Sequence, residues 1–286
     1  MTLGHEISGT IDEVADGKGV YQPGKRVTTE TYYYTCGRCF YCKTGRRNLC
    51  EKRKSIGSAV NGGFAEYVVV PAEIIHPLPD NISFEEGALT EPFACCVQAV
   101  LEFSGISAGD RILITGPGTI GLLCLQLAKI VGATVIIIGT EQDSERLGVA
   151  RLLGADYQVT TKDKSPVDQI KDIFDGLGPD IVLECSGSPE AIRTGIEAIR
   201  KGGTFMQIGL SDREALIDTN KIVLKEIIMK GTFATKWWAW TYALRLMEQG
   251  KVNLKSLISG VVELEEWEDT FNKVLRSEGL KYMFKF

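Results

Sequence analysis

No long apolar run interrupts this chain. Its longest apolar stretches, around Ile112–Ile114 and Val135–Ile138, fall far short of the roughly 20 residues a membrane-spanning helix needs. They read as buried strands, and no membrane partner is expected. The opening residues, Met1-Thr2-Leu3-Gly4-His5-Glu6, hold neither a basic nor an apolar segment, so no secretory signal is read there and a cytoplasmic location is expected. Positive charge is not in excess: the formal net charge is -5, which argues against a chain built to wrap nucleic acid. The one basic run, Arg46-Arg47 with Lys52-Arg53-Lys54, reads as a solvated face. Internal repeats and low-complexity linkers are missing too, and histidine is scarce, with only His5 and His76. At 286 residues and 44% hydrophobic content, the chain is long enough for two packed cores.

Cysteine, by contrast, is plentiful. Eight cysteines without a signal point to metal binding or reduced core thiols, because the cytosol keeps thiols reduced. Cys36, Cys39, Cys42 and Cys50 follow the spacing C-x2-C-x2-C-x7-C. Four thiolates enclose one tetrahedral zinc and leave no open position, so the expected site is structural. An iron–sulfur cluster begins with the same spacing, but its last interval is shorter and ends before a proline, whereas Glu51 follows Cys50. Cys95, Cys96, Cys124 and Cys185 lie in apolar surroundings and read as small core residues.

Up to Pro79 the pattern is short β-rich runs, Ile7–Val14, Arg26–Tyr34 and Phe64–Val70, broken by Gly17, Pro23-Gly24 and Gly62-Gly63. After Glu91-Pro92 strands and helices alternate, the mark of a parallel sheet covered on both faces. Expected strands are Arg111–Thr115, Thr134–Ile138, Ile181–Glu184, Thr204–Ile208 and Ile227–Thr232; expected helices are Thr119–Val131, Ser144–Leu153, Val167–Phe174 and Pro189–Ile199. The remainder reads as helix Trp237–Gln249, strand Ile258–Leu264, helix Glu265–Ser277 and strand Lys281–Phe286. Trp237, Trp238 and Trp240 are expected to pack a domain or subunit junction.

The strand Arg111–Thr115 runs into Gly116-Pro117-Gly118-Thr119-Ile120-Gly121 and then a helix. In that context G-x-G-x-x-G is a dinucleotide fingerprint. The first glycine permits the turn, the second admits a pyrophosphate and the third lets helix and strand pack. Thr119 and Ile120 open the helix, whose free N–H groups face phosphate. Glu141 stands twenty residues after Gly121, where a carboxylate accepts the ribose hydroxyls and repels a 2′-phosphate, favouring NAD over NADP. Arg146 is a further candidate, able to stack on adenine or bind phosphate.

Together Gly4-His5-Glu6, the cysteine lobe, Gly63-Phe64-Ala65-Glu66-Tyr67, Glu91-Pro92, the glycine motif and Cys185-Ser186-Gly187 resemble the zinc-containing medium-chain alcohol dehydrogenases, in their sorbitol (polyol) and threonine dehydrogenase branch. The resemblance implies an α/β fold in which a GroES-like β-rich catalytic domain (residues 1–93 and 235–286) and a Rossmann domain (residues 94–234) flank a cleft. It implies that His5, Glu6 and Glu91 are the ligands of a catalytic zinc, and that Ser186, Gly187, Ile208, Gly209 and Phe233 join the nicotinamide cofactor's site. His76 is left as structural. The implied reaction is oxidation of a secondary alcohol, with a small-molecule polyol as substrate and a homo-oligomer, dimer or tetramer, as the working form. Threonine or a simple secondary alcohol is the alternative substrate. Ala234 stands where polyol dehydrogenases carry a substrate-binding arginine, so that position supports neither branch. Family members carry several dozen residues ahead of Gly-His-Glu, including a cysteine ligand of the catalytic zinc. An N-terminally truncated relative is therefore expected, with an incomplete catalytic zinc site, lowered stability and poor turnover, or else a catalytically impaired nucleotide-binding homologue.

Overall fold

The computed structural model describes residues 1–15, 21–161 and 165–286; the expected turn at Gly17 lies outside them. These residues gather into two compact units, one of Met1–Cys95, Phe233–Phe271 and Tyr282–Phe286, the other of Cys96–Thr232 and Asn272–Lys281. Among the described residues no helix is long and apolar enough to cross a membrane.

The second unit is built on six parallel strands in the order Ile228–Gly231, Thr204–Gln207, Ile181–Glu184, Arg111–Thr115, Thr134–Gly139, Tyr157–Thr160. Ile112, Leu113, Ile114, Val135, Ile136 and Ile137 are buried completely, as expected of central parallel strands covered on both faces, where apolar residues run on rather than alternate. The helix Thr119–Val131 ends at Gly132 in the left-handed region, φ 94°, the backbone state that closes a helix with least strain in glycine. Sequence order reverses between Arg111–Thr115 and Ile181–Glu184, the crevice where doubly wound sheets bind ligands. The sequence pattern lacks the edge strand Tyr157–Thr160, of which only Val159 is buried. One buried residue in four carries too weak an alternation to be read.

In the first unit Ser8–Thr10, Arg26–Thr29 and Ile75–Pro77 form an antiparallel sheet. The expected strand Arg26–Tyr34 is two strands, because Tyr32–Tyr34 pairs instead with Lys54–Ser55. At the break the Glu30 amide donates to the Ile74 carbonyl at 2.8 Å, and the Glu30 carboxylate meets His76 Nε2 at 2.9 Å, both residues buried. His76 also stacks on Trp240, with ring centroids 5.4 Å apart and planes 7° from parallel. Trp240 is fully buried in this unit, whereas Trp237 is exposed. The expected strand Phe64–Val70 is not formed. Gly63 and Phe64 donate to the carbonyls of Gly4 and Leu3, but beyond them no ladder partner is present among the described residues, and Tyr67 and Val69 are exposed. Phe64 instead packs edge-on against Phe284 at 4.9 Å, tying this segment to the two-stranded sheet of Ile258–Glu263 and Lys281–Lys285.

Candidate active site

The four lobe cysteines converge: their sulfurs all lie within 4.8 Å of one another, with Cys36 to Cys50 at 3.6 Å and Cys36 to Cys42 at 4.0 Å. Thiolates about 2.3 Å from a tetrahedral zinc stand about 3.8 Å apart, so the donors fit that ion. Local structure produces the convergence. Cys39 caps the short helix Phe40–Lys43, the Cys42 amide donating to its sulfur at 3.4 Å, and the Cys36 amide donates to Cys50 Sγ at 3.4 Å. Hydrogen bonds from the amides of Arg38 and then Cys39 hold the Cys36 thiol down at about 6, while burial pushes Cys42 up to about 11.

A second donor group assembles from distant sequence. His5, Glu6 and Glu91 bring one ligand atom each to within 4.8 Å of one another, His5 exposed and Glu91 buried. Imidazole and carboxylate donors in one cluster suit zinc. The helix Thr90–Val97 carries Glu91 in its first turn and, one turn on, Cys95, whose sulfur lies 3.8 Å from Glu91 Oε1. Sequence reading left Cys95 among the core thiols. In the structure it is half-buried beside this group, and the i, i+4 spacing was the signal that could have found it. Cys185 is likewise half-buried, while Cys96 and Cys124 are core residues.

In the second unit the glycines of the fingerprint separate by what surrounds them. A Cβ on Gly121 would stand 2.0 Å from the Gly116 carbonyl oxygen, and one on Gly116, at φ 89°, 2.8 Å from Ser186 Cβ. Gly118 meets nothing within 4 Å. Packing thus explains two of the three glycines, and open space at the third leaves room for a phosphate to approach the backbone. Gly118 is also the N-cap of Thr119–Val131, and no side chain caps that helix, so its first amides point outward from Thr119 and Ile120. Glu141 lines an open depression of about 540 Å³ with Thr140, Gln142 and Thr161. Arg146 is engaged close by: its Nε donates to the Gly279 carbonyl at 3.0 Å and it pairs with Asp143 at 3.4 Å. Phe233 belongs to the first unit and is half-exposed.

The residue that sequence reading missed here is Glu184. Completely buried at the end of its strand, its carboxylate accepts from Thr115 Oγ1 at 3.1 Å, from the Ser186 amide at 2.9 Å, from the Gly187 amide at 3.0 Å and from Gln207 Nε2 at 2.5 Å. Its backbone carbonyl accepts from the amides of Ile208 and Gly209. One residue therefore ties both turns to the strand that feeds the glycine loop, the Ser186-Gly187 turn through its carboxylate and the Ile208-Gly209 turn through its carbonyl. A strand-terminal acid read only as the end of an apolar run gives no sign of this until the three turns are adjacent.

A doubly wound sheet with this loop arrangement, in one chain with a closed cysteine lobe and a histidine–carboxylate donor group, defines a metal-containing, dinucleotide-dependent oxidoreductase. Comparison with known proteins makes the class specific. Residues 1–80 match the alcohol dehydrogenase GroES-like domain, and residues 119–249 match the zinc-binding dehydrogenase domain. D-arabitol-phosphate dehydrogenase of Enterococcus avium is 40% identical over 286 residues, 100% of this chain and 81% of that protein. Sorbitol dehydrogenase of Halalkalibacterium halodurans is 40% identical over 284 residues, 99% of this chain and 82% of that one. Among solved structures, a zinc-binding dehydrogenase from Sinorhizobium meliloti 1021 bound to NADP superposes with a TM-score of 0.88 at 32% identity, covering 98% of this chain and 80% of that one. The chain belongs to the zinc-containing medium-chain alcohol dehydrogenase family.

Proposed function

We propose that this chain oxidises a secondary alcohol of a polyol to the ketone, with hydride passing to NAD, as a cytoplasmic homo-oligomer. The observation that carries the reading is the convergence of His5, Glu6 and Glu91 within 4.8 Å although Glu91 stands far along the sequence. When zinc is held by these donors, it supplies Lewis acidity that lowers the pKa of an alcohol. Glu91 is a buried carboxylate whose position is set by its helix, whereas exposed His5 stands at the solvent side. Cys36, Cys39, Cys42 and Cys50 are assigned a second, structural zinc, closed to substrate by its four thiolates. For the dinucleotide, the Thr119 and Ile120 amides take the pyrophosphate over Gly118, and Glu141 accepts the ribose hydroxyls and favours NAD. Glu184 holds the Ser186-Gly187 and Ile208-Gly209 turns in place from behind. Arg146 is kept as an adenine-side contact through its stem, its charged end being shared with Asp143 and Gly279.

The test is NADH formation on a panel of sorbitol, xylitol, arabitol and arabitol phosphate, threonine and 2,3-butanediol, paired with zinc analysis. Turnover of polyols, with zinc in both donor groups, is the expected result. A preference for threonine or butanediol over every polyol would sink the substrate reading, and zinc in the cysteine lobe alone would sink the catalytic one.

A further inference from the structure

Arg53 is read from the sequence as part of a solvated basic face, and the structure corrects this. Its amide donates to the Cys50 carbonyl at 3.0 Å, so the cysteine lobe fixes its backbone. Its side chain is half-buried, the guanidinium lying 4.7 Å from the Phe233 ring centroid and 5.6 Å from that of Tyr32. Among the described residues no carboxylate pairs with it at ion-pair distance, and the contacts of its guanidinium are to two aromatic faces. Aromatic faces attract a cation, but they offer no acceptors to a guanidinium that carries five donors. A half-buried cation left without a counter-ion carries a desolvation cost.

The surroundings direct this cation toward the donor group. Tyr32 is buried with its hydroxyl committed, donating to the Thr235 carbonyl at 2.6 Å and accepting from the Thr235 amide at 2.8 Å. Burial pushes its phenol well above the usual range, so it stays neutral and does not balance Arg53. Cys95 is an electrostatic neighbour of the same phenol, and Cys95 lies 3.8 Å from the Glu91 carboxylate. Arg53 lies over the Tyr32 ring, and Cys95, beside Glu91, is close enough to Tyr32 to act on its phenol, so the cation and the donor group share one part of the first unit. Asn48 Nδ2 donates to the Phe233 carbonyl at 2.8 Å, fixing the backbone that carries the ring beneath Arg53.

We propose that Arg53 binds the phosphate of a polyol monophosphate whose secondary alcohol is presented to His5, Glu6 and Glu91, so that the substrate is a phosphorylated rather than a free polyol. The planar guanidinium offers two parallel donors to phosphate oxygens, a match that lysine does not make. This rests on the polyol reading above and adds the anionic end of the substrate to it.

The test compares kcat/KM on arabitol and sorbitol phosphates, the free polyols and gluconate, for the wild type, Arg53→Gln and Arg53→Lys. The expected wild-type preference for phosphorylated over free polyol is about 100-fold, the value of one charge-assisted bidentate contact. Arg53→Gln should remove most of that ratio through KM rather than kcat, and Arg53→Lys should restore part of it. Protection of the wild-type protein against thermal unfolding by arabitol phosphate, weakened in Arg53→Gln, is the binding readout. Equal wild-type kcat/KM on free and phosphorylated polyols would overturn the proposal even if the variants fail to fold, while leaving the polyol reading intact. Gluconate matching the phosphates would overturn the choice of phosphate. Activity on none of these compounds, with threonine or butanediol oxidised instead, would overturn the polyol reading itself.

Discussion

The two donor groups of the first unit reach similar compactness by opposite routes. The cysteine lobe gathers four sulfurs from fifteen consecutive residues, Cys36 to Cys50, using a one-turn helix and amide-to-sulfur hydrogen bonds that belong to the same segment. His5, Glu6 and Glu91 come from opposite ends of the segment up to Cys95 and meet only because the chain between them folds. One group is four like thiols, three of them half-buried; the other mixes an exposed imidazole with a buried carboxylate. A closed set of like donors suits holding a loop, and an unequal set with one exposed side suits exchanging ligands during a reaction.

The comparison breaks most sharply by removing a donor from each group. Replacing His5 or Glu91 by alanine is expected to lower kcat/KM by about 1000-fold, the several kcal/mol a Lewis acid contributes, while zinc in the lobe persists. Retention of activity in these variants, or loss of the lobe zinc from them, would break the distinction. The Cys39→Ser and Cys42→Ser variants should show the reverse, with lobe zinc lost and stability lowered by about 3 kcal/mol, but little change in kcat per folded molecule. Thermal unfolding followed together with zinc content separates these outcomes.

Two variants of the second unit test whether effects there stay independent of metal. Glu184→Gln keeps the shape but sets an amide among buried donors, leaving at least one of them unpaired, and should cost about 2 kcal/mol of stability. It should also raise KM for NAD by about tenfold, as the turns it holds loosen, with zinc content unchanged. A change in zinc would show that the two units are coupled. The smallest effect is expected at Asp180. Burial pushes its carboxyl up, but hydrogen bonds from Arg111 and Arg200 prevail and hold it at about 2, below its ordinary 3.8. A group whose folded pKa is depressed stabilises fully above its unfolded value, and this contribution disappears as pH falls from about 3.8 through about 2. Asp180→Asn should therefore cost about 1 to 2 kcal/mol near neutral pH, discounted for partial exposure, with the gap to wild type closing over that acid range. A gap independent of pH would assign the loss to packing instead.

Much of the second unit is legible from residues alone. Ile112–Ile114 and Val135–Ile137 are apolar without interruption, and the Gly116–Gly121 motif sits between a strand and a helix, so periodicity and turn chemistry agree there. The β-rich unit is less legible. Arg26–Tyr34 reads as one strand because its residues favour extension throughout, yet the buried Glu30 and His76 pair turns the chain to a new partner in mid-run. Phe64–Val70 has strand composition too, but a strand needs a neighbour as well as a propensity, and only Gly63 and Phe64 find one among the described residues.

By itself the sequence determined what depends on nearby residues: the lobe's four clustered cysteines, the glycine loop with the helix it feeds, and the apolar strands of the parallel sheet. Each follows from spacing or periodicity, which act over a few residues and survive in a linear text. Only tertiary structure decided what depends on neighbours brought from afar, since side-chain contact falls off within a few ångströms while sequence distance carries no record of it. That is why Cys95 beside Glu91, Glu184 beneath three turns and Arg53 between Phe233 and Tyr32 became visible only in the fold.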